Sequence, residues 1–233
     1  MKDSTNSKPS IILVHGAFAD GSGWQKIISL LEAKGFTVTA VQNPLKSIAD
    51  DAATTRRVID AQKGDVVLVG HSYGGAVITE AGAGNPKVKA LVYVAAFAPE
   101  AGERIGQLIE QYPATPLGSS LVPDSAGFLY IDRAKFREVF AQDVTAGEAA
   151  IMAATQKPVA GASFGEPLAA WKTIPSWYAV SALDHAINPD SQRFMAKRMN
   201  ARTTEIEASH VSFISQPEKI VKIIEEAAAT AAK

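Results

Sequence analysis

The chain has 233 residues, enough for one domain, or one domain with an insertion, around a proper hydrophobic core. Lys and Arg total 23 against 24 Asp and Glu, so the net charge is −1, and no basic cluster indicates a nucleic-acid partner. The absence of cysteine excludes disulfides, thiolate nucleophiles and cysteine-ligated metals. Without a signal-peptide segment or an apolar run of about 20 residues, we expect a cytoplasmic protein with no membrane partner.

Short apolar segments alternate with longer amphipathic ones along most of the chain. The predicted strands span residues 10–15, 36–41, 65–70, 88–95, 176–182 and 202–208. The predicted helices span residues 23–34, 47–62, 73–83, 190–199 and 216–231. Most of the strands are continuously apolar, as expected where both faces of a sheet are covered. This pattern predicts an α/β fold, in which helices cover both faces of a parallel sheet.

The alternation of strands and helices stops between residues 97 and 171. This stretch is far longer than the roughly 2–6 residues that usually connect elements in such folds. It contains many aromatic side chains, which a segment without structure would expose to water. We therefore predict that residues 97–171 form a helical lid inserted into a core made of residues 1–96 and 172–233.

The segment Gly70-His71-Ser72-Tyr73-Gly74 follows a buried strand and precedes a helix. It fits the pattern G-x-S-x-G, which places a serine on a tight turn between a strand and a helix. Such a serine takes strained backbone angles, and the glycines let the strand and the helix approach each other. Ser72 is therefore the predicted nucleophile, and the alternative is a serine in a purely structural turn.

A second turn, His15-Gly16-Ala17, follows the first strand. In doubly wound sheets the binding crevice lies beyond the carboxyl ends of the strands, where the strand order reverses. If the second strand lies outside the first, the first and third strands are neighbours, and Gly16 and Ser72 face one crevice. We predict that the backbone N–H groups of Ala17 and Tyr73 form an oxyanion hole there.

A serine nucleophile needs a histidine base, which a carboxylate orients. The chain has four histidines. His15 and His71 belong to the two turns, and we expect structural roles for both. His210 follows the last predicted strand, at the same sheet edge as Ser72, and it is the predicted base. His185 is expected to be a bystander.

Asp184 is the predicted orienting carboxylate. Its position between Ser72 and His210 matches the order of serine, aspartate and histidine in this architecture. Alternatively, Asp184 caps a turn or a helix, and Asp143 in the lid supplies the acid. Asp190 is a candidate cap for the helix that follows it.

The chain resembles the α/β-hydrolase superfamily, and in particular its small bacterial esterase-like members related to plant methylesterases and hydroxynitrile lyases. The likeness runs over essentially the whole chain and is carried by HGAFADGSGW, VVLVGHSYGG, LVYVAAFAP, LDHAINPDSQRFMA and EASHVSFISQP. It implies the α/β-hydrolase fold with a six-stranded parallel sheet, helices on both faces and a helical lid. It also implies Ser72 as nucleophile, His210 as base and Asp184 as orienting carboxylate.

The resemblance separates related activities. Hydroxynitrile lyases of this group carry a threonine after the histidine of the first turn and a lysine after the catalytic histidine. This chain has Gly16 and Val211 at those positions. Without the ammonium group, departing cyanide has no stabilising charge, so ester hydrolysis is favoured. Dehalogenases and epoxide hydrolases carry an aspartate where this chain has Ser72.

We predict a serine carboxylesterase that acts on a small to medium, largely apolar ester, because the lid has few charges and many apolar side chains. The alternatives are a ligand-binding protein without catalysis, cleavage of a C–C, lactone or amide bond, or activity like that of a hydroxynitrile lyase. We expect no cofactor and no metal ion, and the sequence indicates no oligomeric state. The predicted pocket residues are His15, Phe18, His71, Phe128, Phe140 and Trp171.

Overall fold

A computed structural model of the chain describes residues 8–163 and 169–231. Residues 1–7, 164–168 and 232–233, which belong to the predicted core and lid, lie outside these ranges. The strands, numbered along the chain, are β1 (Ser10–Val14), β2 (Val38–Val41), β3 (Val66–His71), β4 (Val88–Val94), β5 (Leu121–Pro123), β6 (Phe128–Ile131), β7 (Val159–Ala160), β8 (Ser176–Ser181) and β9 (Arg202–Ile206). The α-helices are α1 (Gln25–Ala33), α2 (Ile48–Asp60), α3 (Tyr73–Gly82), α4 (Ile105–Glu110), α5 (Phe136–Phe140), α6 (Ala146–Thr155), α7 (Pro189–Arg198), α8 (Ser212–Ser215) and α9 (Pro217–Ala231).

The core of the molecule is a parallel sheet of six strands within the described residues, in the order β2-β1-β3-β4-β8-β9. Every residue of β3 and of β8 is buried, because helices cover both faces. Helix α2 packs against α3, and α1 packs against α9. The predicted α/β fold is thereby confirmed. Among the described helices, none has both the length and the apolar character that crossing a bilayer requires.

The strand order reverses at β1, which lies between β2 and β3. Val14 at the end of β1 is in register with Gly70 near the end of β3. The prediction that the first and third strands are adjacent is therefore confirmed. The turns that follow these two strands lie at one edge of the sheet.

Most of the predicted boundaries lie within one or two residues of the observed ones, and two of the differences have clear local reasons. Strand β2 begins at Val38, two residues later than predicted. Gly35 ends α1 with a φ of 78°, and the Phe36 N–H turns back to bond the carbonyl of Leu31. Helix α1 begins later than predicted because residues 21–24 form a 3₁₀ turn, which the Asp20 side chain caps.

The inserted segment after β4 contains α4, α5 and α6, and also an antiparallel sheet in the order β5-β6-β7. The sequence analysis predicted helices there and missed this sheet. A turn joins β5 to β6, in which Asp124 Oδ1 accepts the N–H groups of Ala126 and Phe128. Gly127 supplies the left-handed residue of that turn, with a φ of 80°.

The two ends of the inserted segment are joined to each other. The Trp171 indole N–H donates to the carbonyl of Pro99 at 2.9 Å. The Arg198 guanidinium lies over the Trp171 ring, 5.7 Å from its centroid. Trp171 therefore anchors the base of the insertion, and the prediction that it lines a substrate pocket is not supported.

Candidate active site

Ser72 occupies a strained turn between β3 and α3. Its φ of 54° is in the left-handed region, which residues other than glycine rarely adopt. The strand and helix meet so closely that a Cβ on Gly70 would lie 2.5 Å from the carbonyl oxygen of Gly74. Glycine is therefore required in this turn, and Ser72, 7% exposed, is held at the carboxyl edge of the sheet.

The turn after β1 lies directly against Ser72. A Cβ on Gly16 would stand 2.8 Å from the Cβ of Ser72. Ala17 follows Gly16, and Tyr73 is the first residue of α3, where backbone N–H groups face the helix end. The two residues predicted to supply oxyanion donors therefore belong to the two turns that meet at Ser72.

A buried carboxylate, which the sequence analysis did not single out, fixes the Tyr73 side chain. The Tyr73 hydroxyl donates to Asp51 Oδ2 at 2.7 Å, and Asp51 Oδ1 accepts the Leu45 N–H at 2.8 Å. Burial raises the pKa of Asp51 and the pKa of Tyr73 above their usual values. The available signal was the position of Asp51 on the inward stripe of α2, beside Ala52 and Thr55.

Asp184 follows β8, and four donors surround its carboxylate. Oδ1 accepts the N–H groups of Ala186 and Ile187 at 2.7 and 3.0 Å. Oδ2 accepts the Gln192 amide and Nδ1–H of His210, each at 2.7 Å. The carboxylate is therefore tied to its own turn, to α7 and to the imidazole of His210.

The bond from Nδ1 of His210 to Asp184 fixes the tautomer of the imidazole. With the proton on Nδ1, the lone pair lies on Nε2, which is the atom a general base requires. Among the described residues, Nε2 has no hydrogen-bond partner, so the Ser72 hydroxyl does not bond it in this conformation. Catalytic hydrogen bonds commonly tighten only when substrate is bound.

His71 joins the serine turn to the loop that carries His210. Its Nε2–H donates to the carbonyl of His210 at 2.8 Å, and the two rings lie 4.6 Å apart. Burial lowers the pKa of His71 well below its usual value, so the ring is neutral at physiological pH. Ser72 is the next residue in the chain, so this hydrogen bond links the serine turn to the loop of the predicted base.

His15 has a structural position, and it does not line the pocket for which it was a candidate. Its Nδ1–H donates to the carbonyl of Gly16 at 2.8 Å, and its Nε2 accepts the Asn43 N–H at 3.0 Å. Burial lowers the pKa of His15 to about 4. Because backbone groups occupy both ring nitrogens, this histidine braces the turn after β1.

A cavity of about 150 Å³ lies next to His71, between the core and the inserted segment. Of the predicted pocket residues, Phe18, His71 and Phe140 line it. The Lys26 ammonium and the Glu148 carboxylate form an ion pair of 3.1 Å within its lining. The remaining lining residues are Ala19, Asp20, Ser22, Gly23, Gln25, Ile151, Met152, Thr155, Val211, Phe213 and Ile214.

Three further residues that the sequence singled out, Phe128, Asp190 and His185, do not line this cavity. Phe128 is paired with Ala160 in the small antiparallel sheet, outside the cavity, so its prediction as a pocket residue is not supported. The cap of α7 is Asn188, whose side chain accepts the N–H of Asp190, because Pro189 places Asp190 inside the helix. His185 donates from Nδ1 to the carbonyl of Glu138.

Comparisons with known proteins agree with the α/β fold described above. A sequence model of the alpha/beta hydrolase family matches residues 11–223. The chain is 30% identical to alpha/beta hydrolase nvfD of Aspergillus novofumigatus, over 96% of this chain and 98% of that protein. It is 26% identical to methylesterase 17 of Arabidopsis thaliana, over 90% of this chain and 87% of that one.

The crystal structure of a pyrethroid hydrolase from Sphingobium faniae JZ-2 has a similar fold. It superimposes with a TM-score of 0.80 at 24% identity, covering 95% of this chain and 97% of that one. The chain belongs to the alpha/beta hydrolase family and is related to plant methylesterases.

Proposed function

We propose that this hydrolase is a serine carboxylesterase that cleaves a small to medium, largely apolar ester through an acyl-enzyme. One observation carries the proposal. The imidazole of His210 is bonded to Asp184 at 2.7 Å and packs against His71, the residue next to the strained Ser72. The likeness to a methylesterase supports the same chemistry.

In the proposed first step, Ser72 Oγ attacks the ester carbonyl carbon while its proton passes to Nε2 of His210. The Asp184 carboxylate accepts the Nδ1–H and stabilises the imidazolium that forms. The N–H groups of Ala17 and Tyr73 donate to the oxyanion. The C–O bond to the alcohol then breaks, and the alcohol leaves with the proton from Nε2.

In the second step, water attacks the acyl group on Ser72. His210 Nε2 takes a proton from this water, and the same two N–H groups hold the second oxyanion. Release of the carboxylic acid returns the proton to Ser72 Oγ. The catalytic cycle therefore needs only the chain and water.

The cavity indicates the size of the apolar group. Aromatic and aliphatic side chains dominate its lining, and its volume is about 150 Å³. An apolar cavity of about 150 Å³ in another protein binds benzene. We therefore expect esters with one phenyl-sized acyl or alcohol group to be better substrates than naphthyl esters.

A fluorophosphonate probe and a panel of esters graded by acyl size test the proposal. The wild-type protein should be labelled on Ser72, and Ser72→Ala should lose both labelling and about 10⁴-fold or more of kcat. Ser29→Ala, an exposed serine on α1, is the matched control and should keep both. A folded Ser72→Ala protein with wild-type turnover would falsify the mechanism.

A second candidate is a protein that binds such a ligand without cleaving it. It is favoured by the imidazole Nε2 of His210, which does not bond the Ser72 hydroxyl in this conformation. In that case, esters of the panel should raise the melting temperature without turnover, and the probe should leave Ser72 unlabelled.

A further inference from the structure

Four consecutive residues of the inserted segment, Phe140 to Asp143, contact the two loops that carry the proposed acid and base. We call these four residues the lid clamp. The Gln142 side-chain amide donates to the carbonyl of Leu183, which precedes Asp184, at 2.5 Å. Asp143 Oδ2 accepts the Ser209 N–H, which precedes His210, at 2.8 Å. The clamp thus contacts the residue immediately before each of the two catalytic candidates.

The base loop, residues 207–211, lies between β9 and α8 and has no regular secondary structure. Two hydrogen bonds join this loop to the core. The Leu183 N–H donates to the carbonyl of Ala208, and Nε2–H of His71 donates to the carbonyl of His210. Asp143 adds a carboxylate acceptor from the inserted segment. The same Oδ2 also accepts the Ser215 hydroxyl at 2.8 Å, which ties the base loop to α8.

The clamp also touches the imidazole itself. The Phe140 ring meets the His210 ring edge to face, with centroids 4.8 Å apart. His71 packs against the same imidazole at 4.6 Å, and Asp184 bonds its Nδ1. In the core, His71 and Asp184 set the direction of Nε2. In the inserted segment, Phe140 contributes by ring contact and Asp143 through its bond to Ser209.

We propose that Asp143 is a positioning residue for His210, acting through the Ser209 amide and the Ser215 hydroxyl. The proposal rests on the proposed function, in which His210 is the base. Asp143 does not touch the imidazole, so it has no part in the proton transfers. It holds the base loop so that Nε2 faces Ser72 when substrate is bound. Through Asp143, the inserted segment therefore affects how well His210 can accept the proton of Ser72.

The chemistry of the Asp143 carboxylate determines which substitutions are informative. Because a single oxygen, Oδ2, accepts both bonds, an asparagine with its oxygen at that place can accept the same two bonds. Alanine removes the acceptor altogether. Displacement of a catalytic group by about 1 Å costs up to about a hundredfold in rate.

The test compares variants on the best ester of the panel. Asp143→Ala should lower kcat about ten- to a hundredfold with KM within about twofold, and Asp143→Asn should stay within about threefold of wild-type kcat. Ser215→Ala should cause a smaller loss, because the Ser209 bond survives. Asp124→Ala is the control: its carboxylate caps a turn of the inserted segment and does not contact the base loop, so kcat should be unchanged.

A spectroscopic signature separates positioning from simple loss of stability. The proton between His210 Nδ1 and Asp184 gives a low-field NMR resonance, which should shift or broaden in Asp143→Ala and stay in place in Asp124→Ala. Wild-type kcat with an unmoved resonance in Asp143→Ala would overturn the proposal. So would a loss in Asp143→Asn as large as that in Asp143→Ala.

If Asp143→Ala does not fold, the proposal is tested by the kcat values of Asp143→Asn and Ser215→Ala. The proposal then requires near wild-type kcat in the first and a measurable loss in the second, and equal wild-type activity in both overturns it. A wild-type protein that neither cleaves esters nor reacts at Ser72 defeats the proposed function instead. That result is distinct from a failure of the Asp143 variants in an active enzyme.

Discussion

Gly74 at the start of α3 and Val14 at the end of β1 meet backbone to backbone. A Cβ on Gly74 would stand 2.4 Å from the carbonyl oxygen of Val14. No side-chain rotation relieves such a contact, because the backbone fixes the position of the Cβ and the other atom is a main-chain oxygen. The close approach is what brings the turn after β1 against the turn that carries Ser72.

We therefore expect Gly74→Ala to displace the serine turn from β1. The free energy of unfolding should fall by about 3 kcal/mol, because overpacking a rigid site is destabilising. The rate constant kcat/KM should fall by at least about tenfold, since the Ser72 and Tyr73 positions shift together. Urea unfolding and ester kinetics measure the two effects.

Gly82, at the other end of α3, provides the control. A Cβ there would meet only side-chain atoms, at 3.4 to 3.6 Å, which is ordinary contact. Gly82→Ala should keep the stability and the activity of the wild type. If the two alanine variants behave alike, the close approach at Gly74 is not what holds the turn.

Gln192 on α7 is expected to matter for both stability and rate. Its amide donates to Asp184 Oδ2 and to the carbonyl of Ile187, and its Oε1 accepts the Ser181 N–H at 3.0 Å. Gln192→Leu leaves buried partners unsatisfied, so the free energy of unfolding should fall by about 1–3 kcal/mol. With one donor to Asp184 lost, kcat should fall about tenfold, which equals about 1.4 kcal/mol.

The neighbouring Arg193 provides the comparison for Gln192. It forms exposed ion pairs with Asp190 and Glu205, and such pairs contribute little. Arg193→Ala should change the free energy of unfolding by less than about 1 kcal/mol and leave kcat unchanged. Equal kinetics in the two variants would contradict a role for Gln192 in holding Asp184.

The buried histidines should make the protein less stable in mild acid. Burial lowers the pKa of His15 to about 4 and the pKa of His71 well below its usual value. In the unfolded chain histidine titrates near pH 6.5, so below that pH the unfolded state binds more protons. Stability that is present above about pH 6.5 is therefore lost as the pH falls towards 4.

Urea unfolding at pH 7.5 and pH 5.0 measures this loss. His15 should account for about 2 kcal/mol of the difference, from roughly 1.5 pH units at about 1.4 kcal/mol each, and His71 should contribute in the same direction. In His15→Gln one of these contributions is removed, so the difference should shrink by about 2 kcal/mol. An undiminished difference in His15→Gln would show that His15 titrates alike in the folded and unfolded chain.

The central sheet could be predicted because most of its strands are continuous apolar runs ended by turns. The three short strands of the inserted segment were missed, since their pairing depends on contacts between distant residues such as Phe128 and Ala160. The turn between β5 and β6 did carry a signal. Pro123, Asp124 and Gly127 are typical turn residues, and two apolar runs flank them.

The part of the candidate site that could be predicted is the set of residues whose order along the chain is typical of this fold. Ser72, Asp184 and His210 follow the sequence order of their architecture, and the structure brings Asp184 and His210 into a hydrogen bond. Gln192 and Asp143 have no such signal, because each acts through a contact that exists only in the folded chain. Trp171 was assigned to a pocket on its aromatic character alone, whereas its indole N–H bonds Pro99.

The bond between Trp171 and Pro99 has an evolutionary consequence. Because the inserted segment leaves the sheet and returns at one point, its interior can change in length and sequence without altering the spacing of β4 and β8. Selection can therefore vary the rest of this segment and retune substrate preference, as long as Gln142 and Asp143 keep their contacts with the loops that carry Asp184 and His210.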